Sequence, residues 1–281
     1  MLVGHLTGQD FHQGYEGGRS LYTDPDLLKS ERLYFERVAE VCRPRPNFLG
    51  FDLGNELDCC WRTADLAVGD RWFQSMLDLA DRLAPEGVHV NGVDNGPWFQ
   101  PDSFSPRALA RRQRIIALHA WIKYTGALAR GGPLDGPSID LAASMAALAR
   151  AYAADPQKPI WIQEYGASEA WMTPAQADVF CERATVRAID AGVAWFTWWA
   201  SHDIDRRFQV DELEYSLGLI GANNRIKRRG EIFRGVANAY RGRPVRFAPS
   251  YAGTIVPPPA EYNDEATWAW MDRWRSAFYG S

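Results

Sequence analysis

Six short apolar runs, each followed by a stretch long enough for a helix, constrain this chain to a parallel α/β fold. The runs are residues 2–7, 48–54, 88–93, 114–119, 159–164 and 193–199. The last, Val193-Ala194-Trp195-Phe196-Thr197-Trp198-Trp199, reads as a strand covered on both faces. The intervening helices are signalled at their ends. Thr23-Asp24-Pro25 caps a helix running to about Cys42, with Pro25 early, where its missing N–H costs little. Phe73, Met76, Leu77 and Ala80 form an amphipathic stripe. Ser138 opens an Ala-rich helix to about Ala153, Thr173 and Gln176 fit a capping box, and a helix covers 229–240. From Gly242 the texture turns irregular, and the chain ends on a short amphipathic helix carrying Trp268, Trp270, Trp274 and Phe278.

Six units are two fewer than a TIM-type (β/α)8 barrel contains. The expectation is such a barrel over 1–241, truncated at its N-terminus, with 242–281 as a tail packed on its wall. A barrel lacking two units exposes strand edges, which invites self-association unless the tail covers them. The chain is therefore read as a fragment of a longer product. Its start carries no signal-peptide pattern, so the location is unknown: cytoplasmic by default, secreted if the true N-terminus lies upstream.

With 281 residues and a 46% hydrophobic fraction, the chain can bury a large core. A formal net charge of −4 argues against a nucleic-acid partner, and the basic clusters at Arg111–Arg114 and Arg225–Arg229 read as solvated helix faces. No apolar run approaches the ~20 residues that span a bilayer, so no membrane partner is expected. Cys42, Cys59, Cys60 and Cys181 lack zinc-site spacing and read as reduced thiols, with a pairing of Cys42 to the 59–60 loop as the alternative.

Functional groups of such barrels sit at the C-terminal strand ends. Two strands end in carboxylates, Phe51-Asp52-Leu53-Gly54-Asn55-Glu56 and Ile160-Trp161-Ile162-Gln163-Glu164, 108 positions apart. Two carboxylates on one rim suit glycoside hydrolysis, which needs an acid/base and a nucleophile or base. His119 ends the fourth run and can orient a carboxylate or bond sugar hydroxyls; Trp121 points the same way on an extended chain. Trp198 offers a ring face to a pyranose, ahead of its neighbour Trp199, and His202-Asp203 follows in the same loop. His5, with Gln9, Asp10 and His12, follows the first run; Asp94-Asn95 and Trp98 follow the third, all as subsite contacts.

The ordered set Asn55-Glu56, His119-Ala120-Trp121, Glu164 and Trp198 resembles the clan A glycoside hydrolases, family 5 in particular (cellulases, β-mannanases, exo-glucanases), over about residues 1–240. The resemblance implies a retaining β-glycosidase acting on β-glucan, β-mannan or related glycosides. In it Glu56 is the acid/base, Asn55 its 2-hydroxyl-binding neighbour, Glu164 the nucleophile and Trp198 the sugar platform. It implies an oligo- or polysaccharide substrate and no metal or organic cofactor. The chain departs from the family pattern at Trp121, where a Tyr usually bonds the nucleophile; support for Glu164 is expected instead from Tyr165 or Tyr124. The barrel would begin at strand three. The competing readings are a truncated, non-catalytic sugar-binding remnant and a metal-dependent hydrolase using His5, His89, His119 and His202. The lack of a His-x-His pair disfavours the latter.

Overall fold

In the computed structural model, residues 2–4, 19–246 and 258–280 are described. His5, Gln9, Asp10 and His12 lie outside them. All six expected strands are present: β1 (Leu2–Gly4), β2 (Gly50–Asn55), β3 (Val90–Gly92), β4 (Ile116–His119), β5 (Ile160–Tyr165) and β6 (Trp195–Trp198). Between β1 and β4 lie helices α1 (Pro25–Cys42), α2 (Leu57–Cys60), α3 (Leu66–Leu83), α4 (Gly96–Phe99) and α5 (Pro106–Arg112). Beyond β4 lie α6 (Ala127–Gly131), α7 (Gly136–Ile139), α8 (Leu141–Ala153), α9 (Pro174–Asp190), α10 (Arg228–Tyr240) and α11 (Asp264–Phe278). The strands form two three-stranded sheets, β1-β2-β3 and β4-β5-β6. Two compact units result, one of Met1–Ala117, Ala149–Pro159 and Pro257–Trp268, the other of Leu118–Leu148, Ile160–Val256 and Ala269–Ser281.

In the first unit the strands run parallel, with Val3 opposite Phe51 and Asp52 opposite Val90. Asp24 caps α1 by accepting from the N–H groups of Asp26 and Leu27, and Pro25 occupies the first turn. The expected stripe of α3, Phe73, Met76, Leu77 and Ala80, is buried. His89 is a core residue: its Nδ1 accepts from the Phe51 N–H at 3.1 Å and its Nε2 faces the Ala84 carbonyl at 2.9 Å. From the end of the chain, the Tyr262 hydroxyl donates to the carbonyls of Pro97 and Gln100, and Trp268 packs on Phe99.

In the second unit β5 pairs in parallel with β6, Trp161 opposite Trp195 and Tyr165 opposite Trp198. The capping box at Thr173 and Gln176 forms as expected. Three local expectations are corrected. Ser138 does not open the Ala-rich helix; it sits in the short α7, its hydroxyl donating to the Gly132 carbonyl, and α8 begins only at Leu141. Strand β6 is not covered on both faces, because it is the last strand of its sheet: Trp195 is 39% exposed and Thr197 is exposed. Arg229 is not on a solvated face; it is buried, donating to the carbonyls of Ala167 and Ser216 and pairing with Glu169. The four cysteines are free thiols.

Candidate active site

Strand β2 delivers Asn55 and Glu56 through an irregular junction. Its register against β3 shifts between Asp52 and Asn55. The buried Asp52 carboxylate sits at the shift, accepting from the N–H groups of Gly92 at 3.0 Å and Gly54 at 3.4 Å. Such a bulge re-aims the side chains that follow it. Glu56 then adopts left-handed backbone (φ 51, ψ 44), uncommon for a residue with a Cβ. Its N–H donates to the Gly92 carbonyl at 2.6 Å, and its own carbonyl accepts from the N–H groups of Cys59 and Cys60. The main chain of Glu56 is thus fully used in turning strand into helix. Its side chain is half-buried, and Asn55 is exposed beside it.

Strand β5 delivers Glu164 in the second unit. Its carboxylate is buried, which requires donors to replace lost water. Two are in place on one oxygen: His119 Nδ1 lies 3.4 Å and Trp121 Nε1 3.3 Å from Glu164 Oε2. An ionised carboxylate only accepts, so His119 donates to it in the tautomer or charge state that carries a proton on Nδ1. The other ring nitrogen, Nε2, is 3.2 Å from the Gln163 side-chain amide. The Ala120 N–H donates to the Glu164 carbonyl at 2.8 Å, which holds the end of β4 beside the end of β5.

Trp121 thus donates to Glu164, a contact that was expected from Tyr165 or Tyr124. The Tyr165 hydroxyl is 2.6 Å from that of Thr185, deep in the core, and Tyr124 is 54% exposed with its ring edge-on to Trp171. Trp171, which the sequence reading missed, packs edge-on against Trp121 at 6.2 Å. Its only sequence signal was its place in the loop that follows Glu164.

Two of the proposed sugar contacts are corrected by burial. Trp198 is core: its ring packs against Tyr165 and Phe233, and its indole N–H donates to the Leu217 carbonyl at 2.8 Å. The exposed ring at this strand end belongs to Trp199, which is 40% exposed. The Trp199 N–H donates to the Tyr165 carbonyl at 2.9 Å, fixing it beside the Glu164 loop. Trp98 is also fully buried and presents no sugar-contacting face. His202 is exposed, 3.2 Å from the Ser201 hydroxyl. Its neighbour Asp203 is held in an ion pair with Lys227 at 2.6 Å and accepts from the Gly218 N–H.

The loops after β5 and β6 are tied together. Ser168 Oγ donates to the Leu213 carbonyl at 3.0 Å, and the Glu169 N–H donates to Ser216 Oγ at 2.9 Å. Arg229 reaches the same segments from α10. Gly166 lies where these loops leave the sheet, and a Cβ there would stand 2.5 Å from the Trp199 carbonyl oxygen.

No protein-family model matches the chain. No curated protein matches it by sequence. Solved structures do. A GH5_18 structure from Streptomyces cattleya in complex with GlcNAc superposes with a TM-score of 0.81 at 28% identity, covering 99% of this chain and 72% of that one. A variant from the same organism in complex with Manβ1-4GlcNAc gives 0.82, also at 28% identity, over 98% and 72%. A GH5_18 structure from Bifidobacterium longum subsp. infantis gives 0.76 at 27% identity, over 81% of this chain and 56% of that one. An exo-β-1,4-mannosidase from Opitutaceae bacterium strain TAV5 shares the fold at 22% identity and a TM-score of 0.66, over 81% and 42%. In fold the chain resembles the clan A glycoside hydrolases, family 5 in particular, and by that resemblance it is an O-glycosyl hydrolase.

Proposed function

We propose that this chain is a retaining β-glycosidase that cleaves a β-mannosidic bond of the Manβ1-4GlcNAc type, with Glu164 as nucleophile and Glu56 as acid/base. The observation that carries the reading is the cradle of Glu164: a buried strand-end carboxylate with a His and a Trp donor on one oxygen. Charge-assisted bonds of this kind keep a carboxylate ionised and oriented, as a nucleophile must be. The six strands are read as strands three to eight of a TIM barrel. The substrate class rests on the GH5_18 structures with GlcNAc and Manβ1-4GlcNAc.

Glu164 attacks the anomeric carbon and forms a glycosyl ester, while Glu56 gives its proton to the departing glycosidic oxygen. Glu56 then takes a proton from water, which attacks the same carbon, and Glu164 leaves with its bonding pair; both groups return to their starting state. A retaining pair stands about 5–5.5 Å apart, and the reading requires that spacing of Glu56 and Glu164. Asn55 bonds the sugar 2-hydroxyl, and Trp199 takes over from Trp198 as the platform under the ring.

The test is intact mass after incubation with 2-deoxy-2-fluoro mannosyl and glucosyl fluorides, followed by peptide mapping and by assay of Manβ1-4GlcNAc. One added mannosyl group on Glu164, absent from Glu164→Gln, is the expected result. Stronger labelling by the gluco probe overturns the choice of sugar. A folded chain that neither labels nor hydrolyses overturns the enzyme reading in favour of a sugar-binding one.

A further inference from the structure

Just past Glu56, in the first unit, lies a buried acidic cluster that glycoside hydrolysis does not use. Asp58, on α2, is 1% exposed and has no Lys, Arg or His partner among the described residues. Its Oδ1 accepts from the Asp94 N–H at 3.1 Å. A carboxyl removed from water beside a second carboxyl and lacking a cation is costly to ionise.

We propose that Asp58, Cys59 and Asp94 bind one divalent cation of the zinc class. Single ligand atoms of the three side chains all lie within 4.8 Å of one another. A tetrahedral zinc with bonds of about 2.3 Å to sulfur and about 2.0 Å to oxygen sets its S···O edge at about 3.5 Å. Cys59 Sγ and Asp94 Oδ2 are 3.5 Å apart. A thiolate with two carboxylates is a borderline-soft donor set, which selects zinc over calcium or magnesium. Asn95 Nδ2 donates to Asp94 Oδ1 at 2.7 Å, an outer bond that holds this ligand in orientation.

A second, independent feature points into the same place. Tyr22 is 6% exposed and its hydroxyl has no hydrogen-bond partner among the described residues. The charged groups that act on it most strongly are the carboxylates of Asp58 and Asp102. The carboxylates of these two residues converge over Gly96, whose added Cβ would lie 3.5 Å from Asp58 Oδ2 and 3.1 Å from Asp102 Oδ2. Buried polar groups of native proteins are paired in the great majority of cases. An orphaned hydroxyl facing carboxylates that lack a cation is accounted for when a cation, with its bound water, occupies the site.

The experiment is titration of the chelator-treated chain with Co²⁺, followed by displacement with Zn²⁺. Cobalt bound to a thiolate shows a near-ultraviolet charge-transfer absorption, so the readout needs no hydrolytic activity and is separate from the test of the glycosidase reading. One equivalent giving that absorption, reversed by Zn²⁺, lost in Cys59→Ser and Asp94→Asn and kept in Cys60→Ser, is the expected result. Circular dichroism of each variant establishes that it is folded. No thiolate absorption in the folded wild type overturns the site and leaves the 3.5 Å contact as a neutral thiol donating to a carboxylate. An absorption that survives Cys59→Ser overturns it equally.

Discussion

The nucleophile candidate and its two donors were all legible as residues, but the chemistry of one was misjudged. Trp121 lacks a hydroxyl, which points to an outside tyrosine; the indole N–H itself is the donor, at 3.3 Å from Glu164 Oε2. A hydrogen bond to a charged group contributes about 1.5–3 kcal/mol, which sets the expectation for its removal. Trp121→Phe lowers kcat by about 10–100-fold with KM little changed, because the bond positions Glu164 and does not touch the sugar. Steady-state kinetics on a β-mannoside separates the two parameters, and an unchanged kcat refutes the role. Trp198 and Trp199 pose the opposite problem. Adjacent strand residues face opposite ways, so a one-residue choice decides which ring is core and which is open, and no sequence pattern in a run of aromatics makes that choice. Trp199→Ala raises KM more than tenfold with a smaller loss in kcat, whereas the conservative Trp199→Phe restores most of the affinity.

At the scale of elements, each carboxylate sits at a break in strand register, Glu56 just after its break and Glu164 within its own. The shift lies between Asp52 and Asn55 on β2 and between Ile162 and Tyr165 on β5. Strand existence was readable from apolar runs, whereas these shifts were not, since they arise from pairing with a neighbour. One signal for the first was present: Asp52 inside Phe51-Asp52-Leu53, a polar residue whose carboxylate is consumed by the Gly92 and Gly54 N–H groups. The second strand end has its own requirement at Gly166. A methyl group there meets the Trp199 carbonyl oxygen at 2.5 Å and the Trp121 ring at 3.2 Å. Backbone cannot yield as a flexible side chain can, so Gly166→Ala costs about 1–3 kcal/mol of stability. It also displaces Trp199 and the Trp121 donor together, and kcat/KM falls by more than the stability loss accounts for. Urea denaturation beside kinetics checks both; wild-type activity in a destabilised variant would show that the glycine serves packing alone. Burial of β6 was misread for a related reason. Composition made it look doubly covered, but cover depends on position in the sheet, and β6 is at an edge.

For the whole molecule, six strands alternating with helices could be counted from the sequence, but not the grouping into two three-stranded sheets, nor a tail whose residues fall in both compact units. Those features depend on contacts between residues far apart in the chain, to which periodicity is blind. One such contact has a consequence for global stability. Glu31 of α1 is buried under α3, where it accepts from the Trp72 indole N–H at 3.0 Å. Burial pushes its carboxyl up to about 7, against the smaller opposing effects of Trp72 and Arg32. The folded state therefore holds this proton more tightly than the unfolded chain, whose Glu titrates near 4.3. Where the folded state binds more protons, stability falls as pH rises. The contribution is complete below about pH 4, diminishes through the interval up to about 7 and is then flat, a total loss on the order of 3–4 kcal/mol. Glu31→Gln keeps the shape and the acceptor of the Trp72 bond while removing the titration. Urea unfolding at pH 5 and pH 8 should show the wild type losing stability across that interval and the variant losing less, by about 2–3 kcal/mol, the part of the total that falls between those pH values. Identical slopes for the two proteins would mean that Glu31 stays ionised throughout, and the buried α1–α3 contact would then have to hold a full charge.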